Sequence, residues 1–418
     1  MEQHLEEMES PKPYVKRNMS LIISNQFLAT LAESIFHLMI IWFIYERTGS
    51  ALYASGVMAV IMVTQIFVGP FMGVFVDRFE PKRAMQIGYG IMVLVGIFLT
   101  ISYIVAPSLI VLSIYIALIL HNICAQWIGP AKSKLLPRIV GNPNVVKTNG
   151  LISSTGQTAD LLGQSVSGFL IALIGFVGIV LLHSGVYLIA SFLLIFVIDL
   201  TRKKQDASIE SVETSSKKHF FTEMREGYYI LKENKPVFKS ILLASALNLV
   251  TVASALTVVL VSDRYGASAV QFGIFNACGA LGGIITGLFI GKLMKKAAPM
   301  RLFALGLFLS GLALIGVGWT TNLIIGTIFM AFFSASLVLV NVVLNSMMMI
   351  LIKDSHRGRV FTLVAAIGGI FVPFAALSGG FLVDVVGIAV LFVASGIWLI
   401  AWSVLPLVDR DLKQVKLD

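Results

Sequence analysis

Glu33 and Asp160 are carboxylates set deep in apolar sequence, each within a regularly spaced file of polar residues. Gln26, Thr30, Glu33 and His37 fall at i, i+4, i+7 and i+11, and Ser153, Gln157, Asp160, Gln164 and Ser167 keep an equally helical spacing. Residues at these intervals share one helix face, so each file predicts a polar stripe with an acid near its middle. An acid at the centre of a membrane span costs roughly 2.5–3.5 kcal/mol on insertion scales and normally faces a wet cavity or a partner. The chemistry this allows is proton exchange: Glu33 or Asp160, partly desolvated when a cavity closes, takes up a proton in one state and releases it in another. Histidine suits a relay near neutral pH, and His37, one turn beyond Glu33, and His121 are the candidates. One charge moved through 100 mV is worth about 2.3 kcal/mol, enough to sustain a solute gradient of roughly 50-fold.

Beside these four proton-coupling candidates stand amides and hydroxyls that a cavity would use to hold a solute: Gln26, Thr30, Asn122, Gln126, Gln157, Gln164, Asn248, Asn276, Asn341 and Asn345. No Lys or Arg lies mid-span in this reading. Two acids without a fixed cation repel anions and favour neutral or cationic amphiphiles. The chain has no Walker A loop, no His-Glu-x-x-His and no metal-spaced His and Cys cluster, so neither ATP-driven pumping nor an enzyme is expected, and no metal or other cofactor. The two cysteines, Cys124 and Cys278, fall in apolar stretches as small hydrophobes.

The elements that must position these residues are membrane helices. Of 418 residues, 57% are hydrophobic and 13% charged, against roughly 25% charged in soluble domains. Runs long enough to cross a hydrocarbon core of about 30 Å recur at 19–45, 51–76, 84–105, 108–131, 146–173, 177–200, 237–262, 268–292, 300–319, 322–351, 358–384 and 386–407. The reading is an all-α protein of twelve transmembrane helices embedded in a lipid bilayer. The net charge of +9 is no nucleic-acid signal, because Lys and Arg gather at the termini and the even-numbered loops with their flanks, leaving only Arg47 and Arg264 on the other side. Positive-inside bias puts both termini in the cytoplasm.

The two exceptions lie in Glu46-Arg47-Thr-Gly49 and Asp263-Arg264-Tyr-Gly266, which align half a chain apart. A second match pairs Ser167-Gly-Phe-Leu-Ile…Gly175 with Gly379-Gly-Phe-Leu-Val…Gly387. Parallel six-helix repeats of this kind suit an alternating-access carrier. The expected domains are an N-terminal bundle at 1–200, a cytoplasmic linker with an amphipathic helix at 201–236, and a C-terminal bundle at 237–418. Gly279, Gly282, Gly283 and Gly287 predict close approach of span eight to a neighbour.

Gly73-Val-Phe-Val-Asp77-Arg78-Phe-Glu80-Pro81-Lys82-Arg83 resembles the G-x-x-x-D-R-x-x-[RK]-[RK] loop signature of the major facilitator superfamily, with Glu80 and Pro81 departing from the usual pattern. Gly129-Pro130-Ala131…Leu136-Pro137-Arg138 and Arg357-Gly358-Arg359 resemble loop signatures of its macrolide-efflux and enterobactin-exporter branch, whose members include drug:proton antiporters. The resemblance implies the major facilitator fold of two pseudo-symmetric six-helix bundles. It implies a cytoplasmic gate built on Gly73, Asp77, Arg78, Lys82, Arg83, Arg357 and Arg359. It further implies a monomeric secondary transporter of a bacterial cell membrane that exports a drug or antibiotic, such as a macrolide, against protons. Gln164 stands where antiporters of the superfamily often carry Pro, which leaves open an uncoupled facilitator or a proton symporter for a neutral small metabolite.

Overall fold

A computed structural model describes residues 13–76, 78–199, 256–294, 298–351 and 372–409, with single helical positions at 238, 239, 243, 247, 250 and 253. Regular structure among them is helical throughout: α1 Pro13–Thr48, α2 Ala51–Val76, α3 Pro81–Val105, α4 Ile110–Val140, α5 Asn142–Ile195, α6 Ala269–Met294, α7 Pro299–Trp319, α8 Leu323–Leu351, α9 Val372–Val386 and α10 Ile388–Ser403. Hydrocarbon offers the backbone no hydrogen bonds, so a spanning segment must satisfy its own, and a helix does. Nine of the described helices are long and apolar enough to cross a membrane. Leu94, Ile104, Leu173 and Leu288 stand exposed on them, as lipid-facing side chains do.

Helix α5 runs for 54 residues but leaves helical geometry at Gly175, where φ is 61° and ψ is −167°. It is therefore two spans, at the boundary the sequence predicts. With α5 divided, and the helical positions from 238 to 253 and α9 marking spans seven and eleven, the described residues are consistent with twelve spans. The linker, Asp77, Asn248, Arg357 and Arg359 lie outside the described residues.

The repeat is written into the backbone. Gly49 and Gly266, paired by the first sequence match, have φ of 64° and 60°; Gly175 and Gly387, paired by the second, have 61° and 87°. Only glycine enters this region without strain. Corresponding helices also cross at corresponding points. A Cβ on Gly96 of α3 would fall onto the Ser184 side chain of α5, and one on Gly311 of α7 would lie 2.5 Å from the Gly396 carbonyl of α10.

The described helices group into two compact units. The first holds α1 up to Ile40, α2 from Val63, and α3 to α5, around a core that includes Ile22, Met85, Tyr89, Leu135, Ile139, Tyr187 and Leu194. The second holds Ile41–Met62 and the described residues within Ser215–Asp418. Within it Tyr45 donates to the Asp263 carboxylate. Asp384, at the end of α9, accepts from the Ala51 N–H at 2.7 Å, the Leu52 N–H at 3.1 Å and the Ser50 hydroxyl at 2.6 Å. A carboxylate on the first N–H groups of α2 satisfies donors that the helix itself cannot.

Candidate functional site

The stripe on α1 forms as its spacing predicts. Gln26 donates to Thr30 at 2.7 Å, and Glu33 and His37 follow along the same helix, both half-buried. On α5, Gln157 donates to Ser153 at 3.4 Å and Gln164 to Asp160 at 2.9 Å, so the i, i+4 spacing becomes a run of hydrogen bonds.

Two glycines bring the stripes together. A Cβ on Gly163 would lie 2.8 Å from the Ser34 Cβ and 2.9 Å from the Leu31 carbonyl, and one on Gly156 would lie 3.4 Å from the Gln26 amide nitrogen. Without those methyls α5 lies tightly against α1. The Ser34 hydroxyl then donates to Asp160 across the interface. A hydroxyl is both donor and acceptor, so Ser34 can hold Asp160 as a carboxylate by donating or as a carboxylic acid by accepting.

At one end of the α1 stripe the structure corrects the sequence reading. Hydropathy closes span four at residue 131, but α4 continues to Val140 and carries Lys132 into the unit. Its Nζ donates to the Gln26 Oε1, on the stripe that carries Glu33 two turns further along. The two acids therefore share their helical unit with a fixed cation.

At the other end lies an imidazole cluster. The Nε2 atoms of His121, on α4, and His183, on the second limb of α5, face each other at 3.2 Å. Both rings are fully buried, and Phe36 stacks on them with centroids 5.6 and 4.2 Å away. The His37 ring meets His121 edge-on at 5.7 Å. Ligand-capable atoms of Glu33, His37 and His121 all lie within 4.8 Å of one another. The sequence showed no metal-spaced His and Cys pattern because His121 joins Glu33 and His37 from a separate span. His183, an ionisable residue inside an apolar run, was detectable by the rule that selects His121.

The remaining cavity candidates have other placements. Asn122 is buried and donates to the Leu118 carbonyl at 2.8 Å, and Asn276 donates to that of Phe272 at 3.0 Å, so each amide proton donor is engaged within its own helix. Gln126 packs where a Gly69 side chain would otherwise stand. Asn341 is exposed on α8, and Asn345 belongs to the same helix. Of the gate residues, Gly73 lies in α2 and Arg78 is exposed in the turn after it. Arg83 pairs with Glu80 at 3.0 Å, and Lys82 donates to the Ile195 and Val197 carbonyls at 3.0 and 2.9 Å. Pro81, which departs from the family pattern, is the first residue of α3, where its missing N–H costs nothing. Buried Asn18 closes the same end by donating to the Ile139 and Ile198 carbonyls, both at 2.8 Å, and accepting from the Ile198 N–H at 3.0 Å.

Paired helical repeats with polar stripes inside apolar spans define a polytopic membrane transporter. The chain belongs to the Major Facilitator Superfamily, whose model matches residues 22–370. It is 24% identical over 401 residues to macrolide efflux protein A of Streptococcus pyogenes, covering 95% of this chain and 96% of that one. Among solved structures it is similar in fold to a D-xylose-proton symporter, with a TM-score of 0.70 at 13% identity over 94% of this chain and 97% of that one. A bacterial homologue of the iron transporter ferroportin in an inward-facing state gives 0.68 at 14% identity, over 93% and 98%.

Proposed function

We propose that this transporter exports a neutral or cationic amphiphile, such as a macrolide, from a bacterial cell in exchange for protons, with Asp160 carrying the coupling proton. The observation that carries the reading is the Ser34–Asp160–Gln164 cluster at the α1–α5 crossing. An intramembrane carboxylate whose hydroxyl partner accommodates either protonation state can change charge without losing its seat. Ser153 and Gln157, exposed on the same stripe, favour an aqueous cavity over lipid, because a row of exposed polar groups facing hydrocarbon is costly. The substrate class rests on similarity to macrolide efflux protein A and on the balance of two acids against Lys132, which still leaves the lining acidic. Glu33, His37 and His121 complete the polar surface on α1 and α4. The bias of basic residues toward the even-numbered loops supports cytoplasmic termini, and the signature around Asp77 supports a gate at that side, so that Asp77→Asn is expected to slow turnover while substrate still binds.

The test is efflux from proteoliposomes under an imposed pH gradient. Asp160→Asn, expressed at the level of the parent, is expected to abolish pH-driven macrolide movement. Undiminished pH-driven movement by that variant overturns the assignment of Asp160. Transport indifferent to collapse of the gradient replaces the antiport reading with an uncoupled facilitator.

A further inference from the structure

The imidazole cluster holds ring nitrogens that the described fold leaves unpaired. Nε2 of His37 and Nδ1 of both His121 and His183 are buried and have no hydrogen-bond partner among the described residues. Buried polar atoms are normally paired, so these bare ring nitrogens call for a partner, and those of His37 and His121 belong to residues grouped with the Glu33 carboxylate. The 3.2 Å contact between the Nε2 atoms of His121 and His183 requires one of them to donate. With His121 as donor its proton sits on Nε2, and Nδ1 is free to bind a cation. His183 then fixes the tautomer and ring of His121, as the outer partner of a metal-bound imidazole does.

We propose that Glu33, His37 and His121 form a binding site for a divalent transition-metal ion of the Zn2+ type, with His183 as a positioning residue and a fourth coordination position open to water. Two neutral imidazoles and one carboxylate suit borderline cations and give a poor site for Mg2+ or Ca2+, which take oxygen ligands. Donors around a tetrahedral ion at about 2.0–2.1 Å stand roughly 3.4 Å apart. Ligand atoms now within 4.8 Å of one another reach that spacing by side-chain adjustment, and Glu33 and His37 are only half-buried. The ion would join α1 to α4 and, through His183, to the second limb of α5.

The experiment uses the purified full-length protein in detergent, with Co2+ as a visible-spectrum probe and Zn2+ as competitor. One equivalent of Co2+ is expected to give the intense band of a four- or five-coordinate site, displaced by one equivalent of Zn2+, and Zn2+ is expected to raise the melting temperature. His37→Gln and Glu33→Gln should remove both responses while eluting as monodisperse protein. His183→Gln should keep the band and weaken affinity roughly 10- to 100-fold. Absence of a band, a spectrum of fully hydrated Co2+, or binding that His37→Gln and Glu33→Gln leave unchanged overturns the proposal. Binding is read without transport, so failure of the Asp160 reading leaves this result standing, and the converse also holds.

Discussion

Gly175 and Gly387 stand at corresponding positions of the two halves and share one backbone conformation, φ 61° with ψ −167° and φ 87° with ψ 155°. No described atom lies within 4 Å of a Cβ built on either. Substituting alanine therefore tests backbone strain alone, without a steric clash. Gly175→Ala and Gly387→Ala are each expected to cost about 1–3 kcal/mol, the range for a residue forced into a glycine-only region. Gly90→Ala, in mid-helix with equal room, should be neutral or stabilising by up to about 1 kcal/mol. Thermal unfolding in detergent distinguishes them, and equal melting temperatures for the three variants would refute the argument.

Gly163 answers to packing instead. A methyl there meets the Ser34 Cβ and the Leu31 carbonyl, and a backbone carbonyl does not yield as the tip of a flexible side chain does. Gly163→Ala should push α5 off α1 and destabilise the protein by about 1–3 kcal/mol, as overpacking does. It should also lengthen the Ser34–Asp160 contact. Ser34→Ala supplies the complement: a smaller stability loss of about 1 kcal/mol, with efflux impaired although α1 and α5 still meet. Retention of full pH-driven efflux by Ser34→Ala would remove the hydroxyl from the mechanism.

Much of this was legible in the sequence because the governing signals are periodic or compositional. Hydropathy places the boundary between spans five and six at Gly175, and polar residues four apart on α1 and α5 become hydrogen bonds. What escaped depends on where a side chain ends rather than where it starts. Lys132 follows the last apolar residue of its run, so hydropathy assigns it to a loop, yet its long aliphatic stem carries the ammonium back to Gln26. Asp384 reads as the polar end of a span, although its carboxylate caps a helix distant in sequence. Asn122 reads as a cavity amide, although it donates to its own helix. Spacing along one helix cannot reveal a partner on another.

Lys132 should tune selectivity. Its ammonium offsets part of the field of Glu33, so Lys132→Gln leaves the lining more acidic and removes the anchor of Gln26. Cationic substrates should bind more tightly by about 2- to 5-fold, the effect of a charge interaction worth up to about 1 kcal/mol in a partly exposed setting, while neutral substrates change little. Apparent KM values for a matched cationic and neutral pair give the answer. Equal shifts for both members would mean that Lys132 acts through structure alone.

Asp384 predicts an effect far from the polar stripes. Its carboxylate holds the first two N–H groups of α2 and the Ser50 hydroxyl, combining a cap with a charge at the positive end of a helix dipole. The site is exposed, so the expected cost of Asp384→Ala is about 0.5–2 kcal/mol, in line with other N-cap losses. Asp384→Asn keeps an acceptor but not the charge and should cost less than half of that at low salt, the charge contribution fading as ionic strength rises. Thermal melts of both variants at low and high salt separate the two contributions. A salt-independent difference between Asn and Asp would assign the effect to hydrogen-bond geometry and exclude the dipole. The outcome also bears on transport, because this carboxylate joins α9 to the start of α2. If alternating access requires that corner to part, Asp384→Ala should speed a turnover limited by opening there even as it lowers the melting temperature.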